Sequence, residues 1–74
     1  MSSVYKARVN GHQATIRFSG ESSNLNCEIV VSGRRGSYSR NFGLKGSPNE
    51  ATYQHAIALM ARHFNLRITN VART

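Results

Sequence analysis

The stretch Val4-Tyr5-Lys6-Ala7-Arg8-Val9-Asn10-Gly11-His12-Gln13-Ala14-Thr15-Ile16-Arg17-Phe18 decides how this chain folds. Tyr5, Ala7 and Val9 alternate with Lys6, Arg8 and Asn10. That is the period-two pattern of a strand with one buried face. Asn10-Gly11 then supplies two residues that tolerate positive φ, as a type I′ turn requires. Beyond the turn, Ala14, Ile16 and Phe18 alternate with Gln13, Thr15 and Arg17. A two-residue loop pairs Val9 with His12, Ala7 with Ala14 and Tyr5 with Ile16, so the apolar residues of the hairpin all fall on one face. The other face carries Lys6, Arg8, Gln13, Thr15 and Arg17.

Toward the C-terminus, Gly20 to Leu25 is polar and reads as a loop. Cys27, Ile29 and Val31 alternate, and Val30 is apolar as well, which predicts an inner strand. Ser32-Gly33-Arg34-Arg35-Gly36-Ser37 is a turn. Tyr38 to Leu44 reads as a fourth strand with Tyr38, Phe42 and Leu44 on one side. Arg40 is in phase with them. Either this strand is an edge with a bulge, or Arg40 reaches past the rim of the core. Ser47-Pro48-Asn49-Glu50 has the form of a capping box with proline at the first helical position. Tyr53, Ala56, Ile57, Met60 and Phe64 follow on one helical face. Asn65 ends the helix, and Leu66 to Val71 reads as a short last strand. The expectation is a single α+β domain over residues 1–74, β-β-β-β-α-β. Its one helix packs on one face of an antiparallel sheet and leaves the other face open.

Composition narrows the function. A chain of 74 residues has room for one domain and one thin core. Its single cysteine, Cys27, allows no internal disulfide, and the N-terminal residues show no apolar leader, so a reducing cytoplasm is expected. No apolar run is long enough for a membrane span. Ten Lys and Arg stand against three carboxylates, for a formal net charge of +7. Eight of the ten are Arg, the side chain suited to forked recognition of phosphate and carboxylate.

Catalysis is the class excluded first. Glu50 is assigned to capping, Glu21 to a loop and Glu28 to a strand facing an arginine, which leaves no acid–base pair. His55 and His63 lie eight apart on the helix, about 12 Å along its axis and turned roughly 80° from one another, so they cannot share a metal ion. Cys27 has no histidine placed beside it to act as a base. No catalytic residue, metal site, cofactor or small-molecule substrate is expected.

Binding has better candidates. Arg34 and Arg35 stand at a hairpin tip, where two guanidinium groups can clamp phosphate or enter a groove. Lys6, Arg8 and Arg17 share the open face, where side chains on neighbouring strands stand about 5 Å apart and like charges repel unless an anion joins them. Gly43-Leu44-Lys45-Gly46 leads into a helix start, whose free N–H groups favour anions, and Lys45 adds a charge there. The tyrosines and phenylalanines fall mostly in phase with the core and are read as packing.

Over Gly33 to Phe64, the set Arg34-Arg35, Ser37, Arg40, Phe42, Ser47 and Glu50-Ala51 with an alanine-rich helix resembles the arm-type domain of phage and transposon integrases. It is similar also to the plant ethylene-response-factor domain. Those families lay a three-stranded sheet in the major groove with the helix behind it. The resemblance implies that Arg34, Arg35 and Arg40 face DNA. The chain departs from both by its N-terminal hairpin and last strand, and lacks the tryptophans of the plant domain. The whole order, ending in Val71-Ala72-Arg73, also resembles small phage-encoded inhibitors of host enzymes such as RNA polymerase. It shares a strand–strand–helix ending with double-stranded-RNA-binding domains, but Asn49, Glu50 and Thr52 stand where those carry lysines.

The expectation is therefore a nucleic-acid-binding module, with DNA favoured. Arg34, Arg35 and Arg40 make the main contacts, supported by Lys6, Arg8, Arg17 and Lys45. The alternative is a phage or mobile-element inhibitor that meets an acidic host or defence protein with the same cations. A homodimer assembled through a sheet edge is the third possibility.

Overall fold

The computed structural model describes residues 3–74. Residues 1 and 2, the start of the N-terminal stretch read above, lie outside the described residues. The elements are β1 (Ser3–Val9), β2 (His12–Glu21), β3 (Asn24–Gly33), β4 (Gly36–Leu44), α1 (Glu50–His63) and β5 (Ile68–Arg73). The five strands form one antiparallel sheet in the order β4-β3-β2-β1-β5. The α+β order expected from the sequence holds.

The first hairpin has the register its pattern dictates: Val9 faces His12, Ala7 faces Ala14 and Tyr5 faces Ile16. Asn10 and Gly11 have φ of 52° and 84°, the two positive values a type I′ turn demands. Tyr5, Ala7, Val9, Ala14, Ile16 and Phe18 are all buried.

The second connection corrects the sequence reading. Gly20 to Leu25 is not a loop, because β2 runs through Glu21 and β3 restarts at Asn24 around a tight Ser22-Ser23 turn. Leu25 is fully buried and begins the alternation continued by Cys27, Ile29 and Val31. The polar residues there sit on a strand whose outer face is wet, which composition alone does not distinguish from a loop. Gly20 permits the bend: its φ is 98°, and a Cβ would stand 2.7 Å from the Asn24 carbonyl oxygen. Val30 points to the open face between Thr15 and Ser39 and is half-buried there.

The helix start is the second correction. The N-cap is Asn49, not Ser47; its side-chain oxygen accepts the Thr52 N–H at 3.0 Å. Glu50 is thus the first helical residue rather than the third, and it does not close a capping box. Its carboxylate accepts from the Tyr5 hydroxyl, from Gln54 at 2.9 Å and from Arg73 at 3.2 Å. Asparagine caps as well as serine, so tertiary partners of Glu50 can set which of the two is used. The far end closes as expected at Asn65, which has φ 55°. Leu66 N–H donates to Ala61 O at 2.8 Å and Asn65 N–H to Arg62 O at 3.4 Å, the paired bonds of a Schellman motif.

The helix lays Tyr53, Ala56, Ile57 and Met60 on the sheet. Tyr53 stacks on Phe18 at 4.5 Å between centroids and meets Tyr5 edge-on at 6.1 Å. At its other end His63 and Phe64 lie against Phe42 of β4, at 5.5 and 6.3 Å. The helix therefore runs from the β1 side of the sheet toward β4. Each fully buried aliphatic or aromatic side chain in this layer contributes roughly 1.5–3 kcal/mol. The opposite face is uncovered. The last strand begins at Ile68 and runs to Arg73, two residues beyond the span read from the sequence.

Candidate nucleic-acid interface

Strand register determines which charges meet. Ala14 faces Val31 across β2 and β3, so the Asn10-Gly11 turn and the Arg34-Arg35 turn stand at the same end of the sheet. β1 pairs with β5 through Val9 and Ile68, which brings Arg67 to that end too. Asn10 fastens it there: its N–H donates to Arg67 O at 2.9 Å, and its side-chain oxygen accepts Arg67 N–H at 3.1 Å. Arg8 lies next to the turn, with Nη1 donating to Gly11 O at 3.3 Å. This turn pole gathers Arg8, Arg34, Arg35 and Arg67, with Lys6 two residues along the open face from Arg8. All five side chains are exposed.

Arg34 and Arg35 occupy a turn of a different kind from the first. Neither has positive φ; Gly36 takes it instead, at 119°. Both arginines hold ordinary backbone conformations, and the glycine absorbs the geometry that would be strained in either.

On the open face next to the pole lies a shallow concavity of about 400 Å³. Its walls include Lys6, Arg8, Gln13, Thr15, Ser32 and Asn70. Asn70, at φ 54°, sits where the β1–β5 register shifts between Lys6 and Arg8. The lining is thus two cations among hydroxyl and amide groups, which suits an anion that also accepts or donates hydrogen bonds.

The other charges named from the sequence are dispersed. Arg17 is on the open face but faces Glu28 across the ladder. No ion pair within 4 Å forms between them; among the described residues that distance is met by Arg73 and Glu50, at 3.2 Å. Arg40 faces Ile29, on the helix side of the sheet. The β3–β4 register is unbroken from Leu25–Leu44 to Gly33–Gly36, so no bulge turns it around. Of the two possibilities, β4 is an edge without a bulge and Arg40 reaches past the core rim, its guanidinium 5.1 Å from the centroid of the Tyr38 ring. Arg40 is on the opposite face from Lys6 and Arg8. Lys45 is at the far pole, where Leu44 faces Leu25 and Gly46 N–H donates to Ser22 O at 2.9 Å. The length of β4, roughly 26 Å at 3.3 Å per residue, separates it from the arginine turn. The helix start beside it already holds Glu50, a negative charge on the positive end of the dipole.

Arg67 is the residue sequence reasoning missed. It lies outside β5, and only the β1–β5 pairing brings it beside Asn10. The local sequence carries no signal for it.

The groups whose ionisation the fold shifts, Tyr5, Glu50 and Cys27, lie away from this pole. Burial and the hydrogen bond to Glu50 push the Tyr5 hydroxyl up to about 12. The same bond, with those from Gln54 and Arg73, holds the Glu50 carboxyl below its ordinary value. Burial pushes the Cys27 thiol up to about 11, the direction opposite to that of an activated nucleophile. No group of three His, Cys, Asp or Glu stands together among the described residues. No helix among them is long and apolar enough to cross a membrane.

Comparison with known protein families, curated proteins and solved structures returns no match.

Proposed function

We propose that the chain is a nucleic-acid-binding module, with DNA as the favoured ligand, acting in a reducing cytoplasm. The turn pole and the adjoining open face form its contact surface. One observation carries this reading: Arg8, Arg34, Arg35 and Arg67 stand at one end of the sheet, and Lys6 beside Arg8 on the open face, with no carboxylate among them. Glu21 closes β2 at the far pole, Glu28 lies midway along β3 and Glu50 opens the helix. Like charges gathered this closely oppose folding unless a polyanion accompanies them.

Arg8, Arg34, Arg35, Arg67 and Lys6 take the phosphate contacts. Gln13, Thr15, Ser32 and Asn70 supply donors and acceptors for sugar or base edges. Arg17 is a weaker contributor because Glu28 faces it. Arg40 and Lys45 contribute little, being on the other face and at the other pole.

Fluorescence anisotropy against labelled duplex DNA, single-stranded DNA and RNA tests the proposal. If five phosphates are neutralised, log K falls against log salt with a slope near −4.5. Absence of binding at about 50 mM salt, or a flat salt dependence, overturns it. The same cations would then be read as the docking surface of an inhibitor for an acidic protein.

A further inference from the structure

The outer edge of β4 has no role in the contact surface at the turn pole. β4 ends the sheet, runs nine residues without a bulge or a proline, and is exposed except at Phe42 and Leu44. In an antiparallel ladder alternate residues of an edge strand turn their N–H and C=O groups outward. The opposite edge is blunted by the register shift and by Asn70, a common way of preventing strand addition. β4 has no such irregularity.

Its side chains specify what can pair with it. β4 carries one charged side chain, Arg40, and no carboxylate, and the Glu28 that faces Asn41 from β3 lies on the other face of the sheet. On the helix side, Tyr38 is the one large apolar side chain left exposed among the described residues, at 38%. Arg40 follows it, and then half-buried Phe42 against His63. Antiparallel pairing with a second copy, centred on this strand, would set Arg40 against Arg40 with no acid in either strand. An acidic strand meets the opposite situation.

We propose that the β4 edge accepts an extended acidic segment of another protein by strand addition. A carboxylate of that segment stands opposite Arg40, flanked by apolar side chains over Tyr38 and Phe42. Backbone hydrogen bonds give the register, and Arg40 gives the selectivity. This surface is independent of the turn pole, so either proposal can fail alone.

The probe is a capped peptide, Thr-Val-Thr-Glu-Thr-Val-Thr, with a control carrying lysine in place of glutamate. Amide shifts of the isotope-labelled protein are followed on titration. The expected result is movement centred on β4, with the glutamate peptide bound at least about threefold tighter than the control, as opposite-charge cross-strand pairs allow. Arg40→Glu should reverse that order, and Lys6→Ala on the other face should leave it unchanged. Asn41→Pro should weaken both peptides by removing a backbone donor. No shift with either peptide at millimolar concentration overturns the proposal. So does a preference for glutamate that survives Arg40→Glu, or one that maps to the turn pole.

Discussion

Replacing Tyr5 by phenylalanine should invert in effect between neutral and alkaline pH. The Tyr5 ring is buried to 1% exposure between Phe18 and Tyr53, and phenylalanine keeps that packing. Only the hydroxyl, which donates to Glu50, is lost. At neutral pH the loss of that hydrogen bond should cost about 1 kcal/mol, which lowers Tm by roughly 4–8 °C in a domain of this size. At high pH the sign changes. The folded hydroxyl ionises near 12 instead of 10. Its raised value means that Tyr5 stabilises the fold fully below pH 10 and loses that contribution as pH rises to 12. Two pH units correspond to at most about 2.7 kcal/mol. The parent should lose up to that much more than the phenylalanine variant, and the two stability curves should cross between about pH 10 and 11. Urea melts followed by circular dichroism from pH 7 to 11.5 measure both limbs. Lysine deprotonation affects both proteins equally and cancels in the difference. Parallel curves, with no crossing up to pH 11.5, would refute the partly desolvated, Glu50-bonded state of this hydroxyl.

Four further outcomes follow from the same structure. Arg34→Ala with Arg35→Ala should change the salt slope for nucleic acid from near −4.5 to near −2.7, reducing the affinity lost between 50 and 200 mM salt from about 500-fold to about 40-fold. Arg40→Ala and Lys45→Ala should leave the slope within about half a unit of the parent; a full unit lost with either would move the interface away from the turn pole. Glu50→Gln should flatten the acid limb of a stability–pH curve. The Glu50 carboxyl is held below its ordinary value, so its contribution is present above pH ~4.3 and lost as pH falls through the folded value. Asn65→Gly should be neutral or slightly stabilising in a thermal melt, whereas Asn65→Val should cost about 1–2 kcal/mol at its left-handed φ.

The hairpin was legible because three local signals agree there: alternation, the Asn-Gly turn and matched apolar faces. The helix was legible in its body and at Asn65, but not at its start. Ser47 and Asn49 are equally good caps on local grounds, and Glu50 chooses between them by reaching Tyr5 and Arg73, distant in sequence. The β2–β3 connection was missed because Glu21 to Asn24 combines polar strand ends with a polar turn, and only the burial of Leu25 separates them from a loop. The candidate site was half legible. Arg34 and Arg35 announce themselves by adjacency at a turn, and Lys6 and Arg8 by phase. Arg40 also had its face given by phase, in step with Tyr38 and Phe42. Arg67 depends on β5 docking beside β1, information carried by strand order and by nothing within five residues of it.

The one-layer sheet explains why charge and edge are separable in so small a chain. A single helix can satisfy one face only, so the core is built on that side and strand alternation sends Lys6, Arg8 and Arg17 to the other. Arg40 escapes this division because β4 extends beyond the helix's cover, where an in-phase position is no longer a buried one. Its guanidinium can rest on Tyr38 without desolvation, and its stem covers apolar surface that would otherwise be wet. The same lack of cover leaves the β4 backbone open. Extending the helix-side layer over Tyr38 would bury Arg40 at a cost of several kcal/mol for an unpaired charge. The exposed edge and the cation within it are thus consequences of one geometric fact, and substitutions at Arg40 should alter pairing at β4 without altering the turn pole.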